Sequence, residues 1–199
     1  MRPPSVQGVW NPVVGSGAAY EMTDKQQNKT TLEMTVVGKE AVNGKDSYWL
    51  ETGVQDPKSH NPVYMKMLMA PDTSGTLATQ RLIMQVPGNP NPMEMSMDMK
   101  MGESKGSHQS QSSDFRERAE RVGSENISVP AGSFACEHYR MKDGTGDVWF
   151  SNSVSPWGLV KFVGKDSSMV LIKKISDAKD HITGTPVKFD PMQMMHQNP

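Results

Sequence analysis

Residues 31–52 read Thr31-Leu-Glu-Met-Thr-Val-Val-Gly-Lys-Glu-Ala-Val-Asn-Gly-Lys-Asp-Ser-Tyr-Trp-Leu-Glu-Thr52. Apolar and polar side chains alternate over Thr31–Val37, the period of a strand with one buried face. Asn43-Gly44-Lys45-Asp46 is a tight-turn signal, since Asn-Gly tolerates the positive φ angles that two-residue hairpin loops demand. The turn leads into Tyr48–Thr52. The stretch therefore reads as a β-hairpin.

The same alternation recurs on both sides. Ala18–Thr23 precedes the hairpin, across the polar Asp24–Lys29. Downstream candidates are Val63–Met69, Leu77–Val86, a Met-rich run, Glu125–Val129, Phe134–Met141, Asp147–Ser151 and Ser168–Ile175, with Val187–Phe189 weaker. The charged Phe115–Val122 reads as an exposed strand, or as a short helix capped by Ser113 or Asp114. Turn-forming residues separate these runs, at Pro87–Pro92, Pro130–Gly132 and Asp143–Gly146. Strands at this spacing predict an antiparallel all-β sheet or partial barrel. Helical turns are expected only at Ser155–Val160, with Ser155 as cap and Pro156 in the first position, and at Asp177–His181.

A chain of 199 residues is long enough for one sizeable core. Its 17 Gly and 14 Pro suit strands divided by turns. The net charge of −1 supplies no field to draw it to nucleic acid. With one cysteine, Cys136, no internal disulfide is possible, and no apolar run is long enough for a transmembrane helix. The organisation expected is a lead-in over 1–17, a single β domain over 18–190 with a mobile loop at 102–114, and a tail over 191–199. The Pro-rich start, Met1-Arg-Pro-Pro-Ser-Val-Gln7, reads as the beginning of a processed chain whose signal peptide has been removed.

The candidate site is made of methionine. Residues 93–101 read Met-Glu-Met-Ser-Met-Asp-Met-Lys-Met, and Met65-Lys-Met67-Leu-Met69 lies upstream. In a strand, Met93, Met95, Met97, Met99 and Met101 share one face, as do Met65, Met67 and Met69. Thioether side chains are flexible and apolar, and they also ligate Cu(I). The first chemistry predicts an adaptable surface for a hydrophobic small molecule or lipid, or for an envelope protein, with Trp157 near its mouth. The second predicts a soft-metal site for Cu(I) or Ag(I). Same-face neighbours on one strand lie roughly 6.5–7 Å apart, so such a site needs donors from a second strand. The Met192-Gln-Met194-Met195-His196 segment is another soft-donor group, read mainly as a frayed tail.

Catalytic groups are sparse. The five His are scattered without zinc spacing, and no HExxH, GxSxG or Walker A pattern occurs. Cys136 and His138 share a strand face, as nucleophile and base, as metal ligands or as a structural pair with Cys136 buried. No catalytic residue and no obligatory cofactor are assigned, and an enzyme is not expected.

Val129-Pro-Ala-Gly132-Ser-Phe134, Cys136-Glu-His-Tyr139, Asp147-Val-Trp149-Phe-Ser151 and Val154-Ser-Pro156-Trp-Gly158-Leu-Val160-Lys161 carry a resemblance. They resemble uncharacterised secreted bacterial proteins with a "VPAGTF" turn and a "P-x-G-L-V-K" segment. Those in turn look similar to the β-clam of the periplasmic outer-membrane lipoprotein carriers. The resemblance covers roughly residues 122–175. It implies a curved antiparallel sheet, half-barrel or clam, with one or two short helices, a concave apolar face and a periplasmic or secreted setting. It assigns no residue roles.

Overall fold

A computed structural model describes residues 10–55, 61–71, 77–85, 89–96 and 118–188. Among them lie twelve strands: β1 (Gly17–Asp24), β2 (Lys29–Val42), β3 (Lys45–Gln55), β4 (Val63–Pro71), β5 (Leu77–Gln85), β6 (Met93–Ser96), β7 (Ala119–Val129), β8 (Gly132–Met141), β9 (Gly146–Phe150), β10 (Leu159–Gly164), β11 (Ser167–Ile175) and β12 (Val187–Lys188). All belong to one open, curved sheet, in the order β12-β6-β5-β4-β3-β2-β1-β11-β10-β9-β8-β7. It is built from two antiparallel meanders, β1 to β6 and β7 to β11. Antiparallel pairing of β1 with β11 joins them. Only β12 runs parallel to its neighbour, β6.

The 31–52 hairpin forms as its sequence demands. Asn43 and Gly44 take φ of 51° and 75°, and β2 pairs with β3 from Val42↔Lys45 outward. The charged segment from Ala119 is strand β7.

Curvature comes from slips in register. Pairings shift by one residue at Ala19/Tyr20, Val36/Gly38, Leu68/Met69, Arg121/Gly123 and Leu159/Lys161. Each bulge adds local twist and bends its strand. The result is visible where the β7–β8 turn returns to β11. Ala131 N donates to Leu171 O at 3.4 Å, although a flat sheet would hold β8 and β11 about 14 Å apart. Phe134 and Cys136 of β8 accordingly share a core with Ala18, Tyr20, Leu32, Val154, Val160 and Leu171. The face carrying Tyr20 is thus the inside of the curl.

The expected helical turn at Ser155–Val160 is absent, and the described residues contain essentially no helix. Gly158 adopts φ 69° and its N–H bonds back to Val154 O at 2.8 Å, turning the chain into β10. The Ser155–Pro156 peptide is cis. Asp177–His181 is not helical either. It belongs to a strap over residues 176–186 that leaves β11 and ends in β12. Ala178 N bonds to Gly15 O, and Val187 N to Pro92 O, each at 2.9 Å.

Tyr20 is fully buried, and its hydroxyl donates to Leu159 O at 3.1 Å. Burial pushes its phenol well above the usual range. Tyr20→Phe keeps the ring and strands that carbonyl. It should lower unfolding free energy by about 1–2 kcal/mol, read as a lower urea midpoint with an unchanged slope.

Candidate functional site

Cross-strand register places the methionines. Met65 lies opposite Met84, and Met84 opposite Met93. The row continues through Thr52 to Met34 on one side and to Val187 on the other. The next row runs Val36, Leu50, Met67, Leu82, Met95. Met69 starts a third, opposite Tyr48 and Thr79, and Thr79 Oγ1 donates to Met69 Sδ at 3.4 Å. Directly opposed residues point to the same face. The chain of pairs Tyr20↔Leu32 and Ala18↔Met34 puts these rows on the face that bears the core.

Burial along the second row is graded. Val36 and Leu50 are buried, while Met67, Leu82 and Met95 are only half-buried. The face therefore opens toward the β6 edge. Of the predicted lining residues, Met65, Met67, Met69, Met93 and Met95 come together here. Met97, Met99 and Met101 lie outside the described residues. Met34 and Met84, absent from the predicted set, complete the surface. Met84 alternates with Leu82 in the sequence, a signal sufficient to place it on a strand face but silent about its partners.

Trp157 is tied to the border of this face. Its ring lies 4.4 Å from that of Trp10, which meets Tyr48 edge-on at 6.4 Å. Asn11 anchors the pair, with Asn11 N donating to Pro156 O at 2.8 Å and Ser155 Oγ donating to Asn11 O at 3.0 Å. Tyr48 stands opposite Met69. An aromatic chain thus runs from the 152–157 turn to the Met rows.

The other face of β2 to β6 combines charged side chains with Leu68 and Ile83, which are buried there. Arg81 Nε donates to Glu94 at 2.6 Å and the guanidinium lies 5.1 Å from the Trp49 ring centre, while Trp49 Nε1 donates to Glu40 at 3.2 Å. The Arg81 hydrogen bond holds the Glu94 carboxyl below its usual range. Glu51, 1% exposed, receives the strap. It accepts from His181 N at 3.0 Å, His181 Nδ1 at 2.7 Å and Ile182 N at 3.3 Å. Lys66 bonds Asp180 and donates to Ile182 O at 3.0 Å, and the His181 ring stacks on Tyr64 at 4.3 Å.

Cys136 and His138 each bond to other partners. His138 Nδ1 faces Glu125 at 3.1 Å, its Nε2 faces Asp147 at 2.7 Å, and its ring stacks on Trp149 at 4.4 Å. Burial opposes ionisation of Asp147, but hydrogen bonds from His138 and Arg140 outweigh it and hold that carboxyl low. Cys136 donates weakly to Phe134 O, and burial pushes its thiol up to about 11. It stays protonated at neutral pH and is a poor nucleophile. A polar cavity of about 340 Å³ lies beside it, lined by Ser124, Glu125, Glu137, Ser151 and Asn152 among others. Among the described residues no three His, Cys, Asp or Glu are grouped to hold a metal ion. No helix of the described residues is long and apolar enough to cross a membrane.

Burial raises the pKa of Glu51, against the opposing pull of its His181 bonds. A carboxyl raised in the fold contributes stability that is present below its unfolded pKa and lost as pH rises through the folded one. Relative to Glu51→Gln, the wild-type chain should therefore lose unfolding free energy as pH rises from about 4. Urea titrations at several pH values check this, and a difference independent of pH would contradict it.

No family model matches the chain, and no curated protein matches it. Among solved structures it is similar to a candidate lipoprotein from Parabacteroides distasonis, 14% identical, covering 87% of this chain and 100% of that one, with a TM-score of 0.42. It is also similar to a candidate exported protein with a YmcC-like fold from Bacteroides fragilis, 11% identical, covering 83% of this chain and 97% of that one, with a TM-score of 0.39. Neither is described as a lipoprotein carrier. Likenesses this remote carry neither a function nor a location over to this chain.

Proposed function

We propose that this chain is a non-catalytic, exported binding protein whose Met-lined face holds a hydrophobic or lipid-like ligand. One observation carries the reading: methionines from β4, β5 and β6 fall into adjacent in-register rows, half-buried on the inner face of the curl. Such a surface adapts to ligands of varied shape, because each thioether side chain has three rotatable bonds and no polar hydrogen. About 100 Å² of ligand apolar surface removed from water contributes roughly 2.5 kcal/mol. Several methionines supply that area before the cost of association is subtracted. The absence of catalysis is supported by the protonated Cys136 and by the carboxylates that occupy both nitrogens of His138. Export rests on the resemblance of residues 122–175 to secreted bacterial proteins.

The test uses the whole chain and the fluorescent apolar probe N-phenyl-1-naphthylamine, with native mass spectrometry for any co-purified lipid. Met67→Glu with Met95→Glu puts two charges on the half-buried row and should weaken probe binding by more than about tenfold, some 1.4 kcal/mol. Met67→Leu with Met95→Leu keeps the apolar area and should bind nearly as well. Equal binding by all three chains, or a clean unloaded mass with no probe binding, would overturn the proposal.

A further inference from the structure

We infer that Met65, Met84 and Met93 form a binding site for one soft monovalent metal ion, Cu(I), on three adjacent strands. Along a single strand, same-face sulfurs are too far apart to share an ion. The register removes that obstacle. Met65 of β4, Met84 of β5 and Met93 of β6 stand directly opposite one another in one row. Opposed residues in adjacent antiparallel strands have Cβ atoms about 4.5–5.5 Å apart. The sulfur lies two bonds beyond Cβ on a rotatable stem, which gives the outer two side chains the reach to meet an ion held over the central Met84. Three thioethers around one point suit Cu(I), which prefers soft sulfur donors.

The surroundings favour this ion over harder ones. The row is flanked by Thr52 and Met34 on one side and Val187 on the other, with no carboxylate or imidazole in it. A divalent ion that needs oxygen or nitrogen ligands finds no charged donor in the row. All three methionines are half-buried, open to an ion yet partly screened from water. Thioethers hold no proton at any working pH, so binding releases none. That sets the site apart from anything built on Cys136 or the five His. The adjacent row cannot substitute, because Leu82 stands between Met67 and Met95. The site lies within the face proposed for an apolar ligand but rests on register and sulfur, not on lipid binding.

The test is an anaerobic titration of the whole chain with Cu(I) against a chromophoric Cu(I) chelator, with X-ray absorption of the loaded protein. One Cu(I) should bind per chain, with a sulfur-only shell and the same affinity at about pH 5.5 and pH 7.5. Met65→Leu/Met84→Leu/Met93→Leu should lose that ion; because these side chains also line the proposed apolar face, probe binding is read separately, and a probe lost with copper retained would overturn this inference while counting against the apolar reading on its own grounds. Met67→Leu/Met95→Leu and Met192→Leu/Met194→Leu/Met195→Leu should keep it. If the triple variant unfolds in urea earlier than wild type, Met84→Leu alone removes the central donor and should show the same loss. Copper retained without Met84, a nitrogen shell, or affinity that falls at the lower pH would each overturn the inference.

Discussion

The pairing of β1 with β11 is the constraint on which the rest depends. It joins residues from opposite ends of the described chain, Gly17↔Ile175 through Asp24↔Ser167. Without it the two meanders would each expose a long apolar edge, the situation that invites edge-to-edge association. With it, β1 becomes an interior strand: Ala18 and Tyr20 are buried in the core with Leu171, and Ala19 is buried as well. The strand must sit close to its neighbours. A Cβ on Gly17 would fall 2.3 Å from Met34 O, a distance no side chain tolerates, so glycine is required at that position. Closure of so distant a pair costs loop entropy before it gains contacts. The two meanders, whose pairings are local hairpins, carry a smaller cost of this kind.

From this seam the register propagates outward, and a slip of one residue would turn every side chain to the wrong face. Two features on opposite faces act against a slip in β3 and β4. On the inner face, Leu50 and Met67 extend the apolar row; on the outer, Glu51 and Lys66 receive the strap. A buried carboxylate without donors would cost several kcal/mol. Glu51 is tolerated because the His181 and Ile182 backbone N–H groups and the imidazole all point at it. Displaced by one residue, Glu51 would enter the apolar face and the strap would lose its seat. Strap and register therefore specify one another.

What the sequence made legible follows from range. The hairpin at Asn43-Gly44, the alternation of β1, β4 and β11, and the curved all-β class depend on neighbours a few residues apart, and all are present. Leu159–Gly164 was obscured because Ser155-Pro156 mimics a helix start, whereas Gly158, with φ 69°, redirects the chain into a strand. Glu51 reads as an ordinary outward residue of an alternating strand, and His181 as part of a turn. Nothing local links two residues 130 positions apart. The same holds for the methionines. Alternation puts Met65, Met67 and Met69 on one face and Met93 and Met95 on another, but only pairing through β5 makes those faces one surface.

Methionine rather than valine or isoleucine on that surface has a thermodynamic consequence. A β-branched side chain is nearly fixed before anything binds, whereas a half-buried methionine keeps much of its rotamer freedom. Fixing one costs up to about 1.5–2 kcal/mol, which offsets much of the roughly 2.5 kcal/mol that 100 Å² of buried apolar surface contributes. A face of this kind therefore discriminates weakly by shape and accepts ligands of different outline at similar, modest affinity. A shared soft ion works differently. It orders three side chains through directed bonds to sulfur, and its selectivity comes from donor chemistry instead of contact area. One set of thioethers can thus serve an undemanding apolar surface and a selective ion site, because the two draw on different properties of the same atoms.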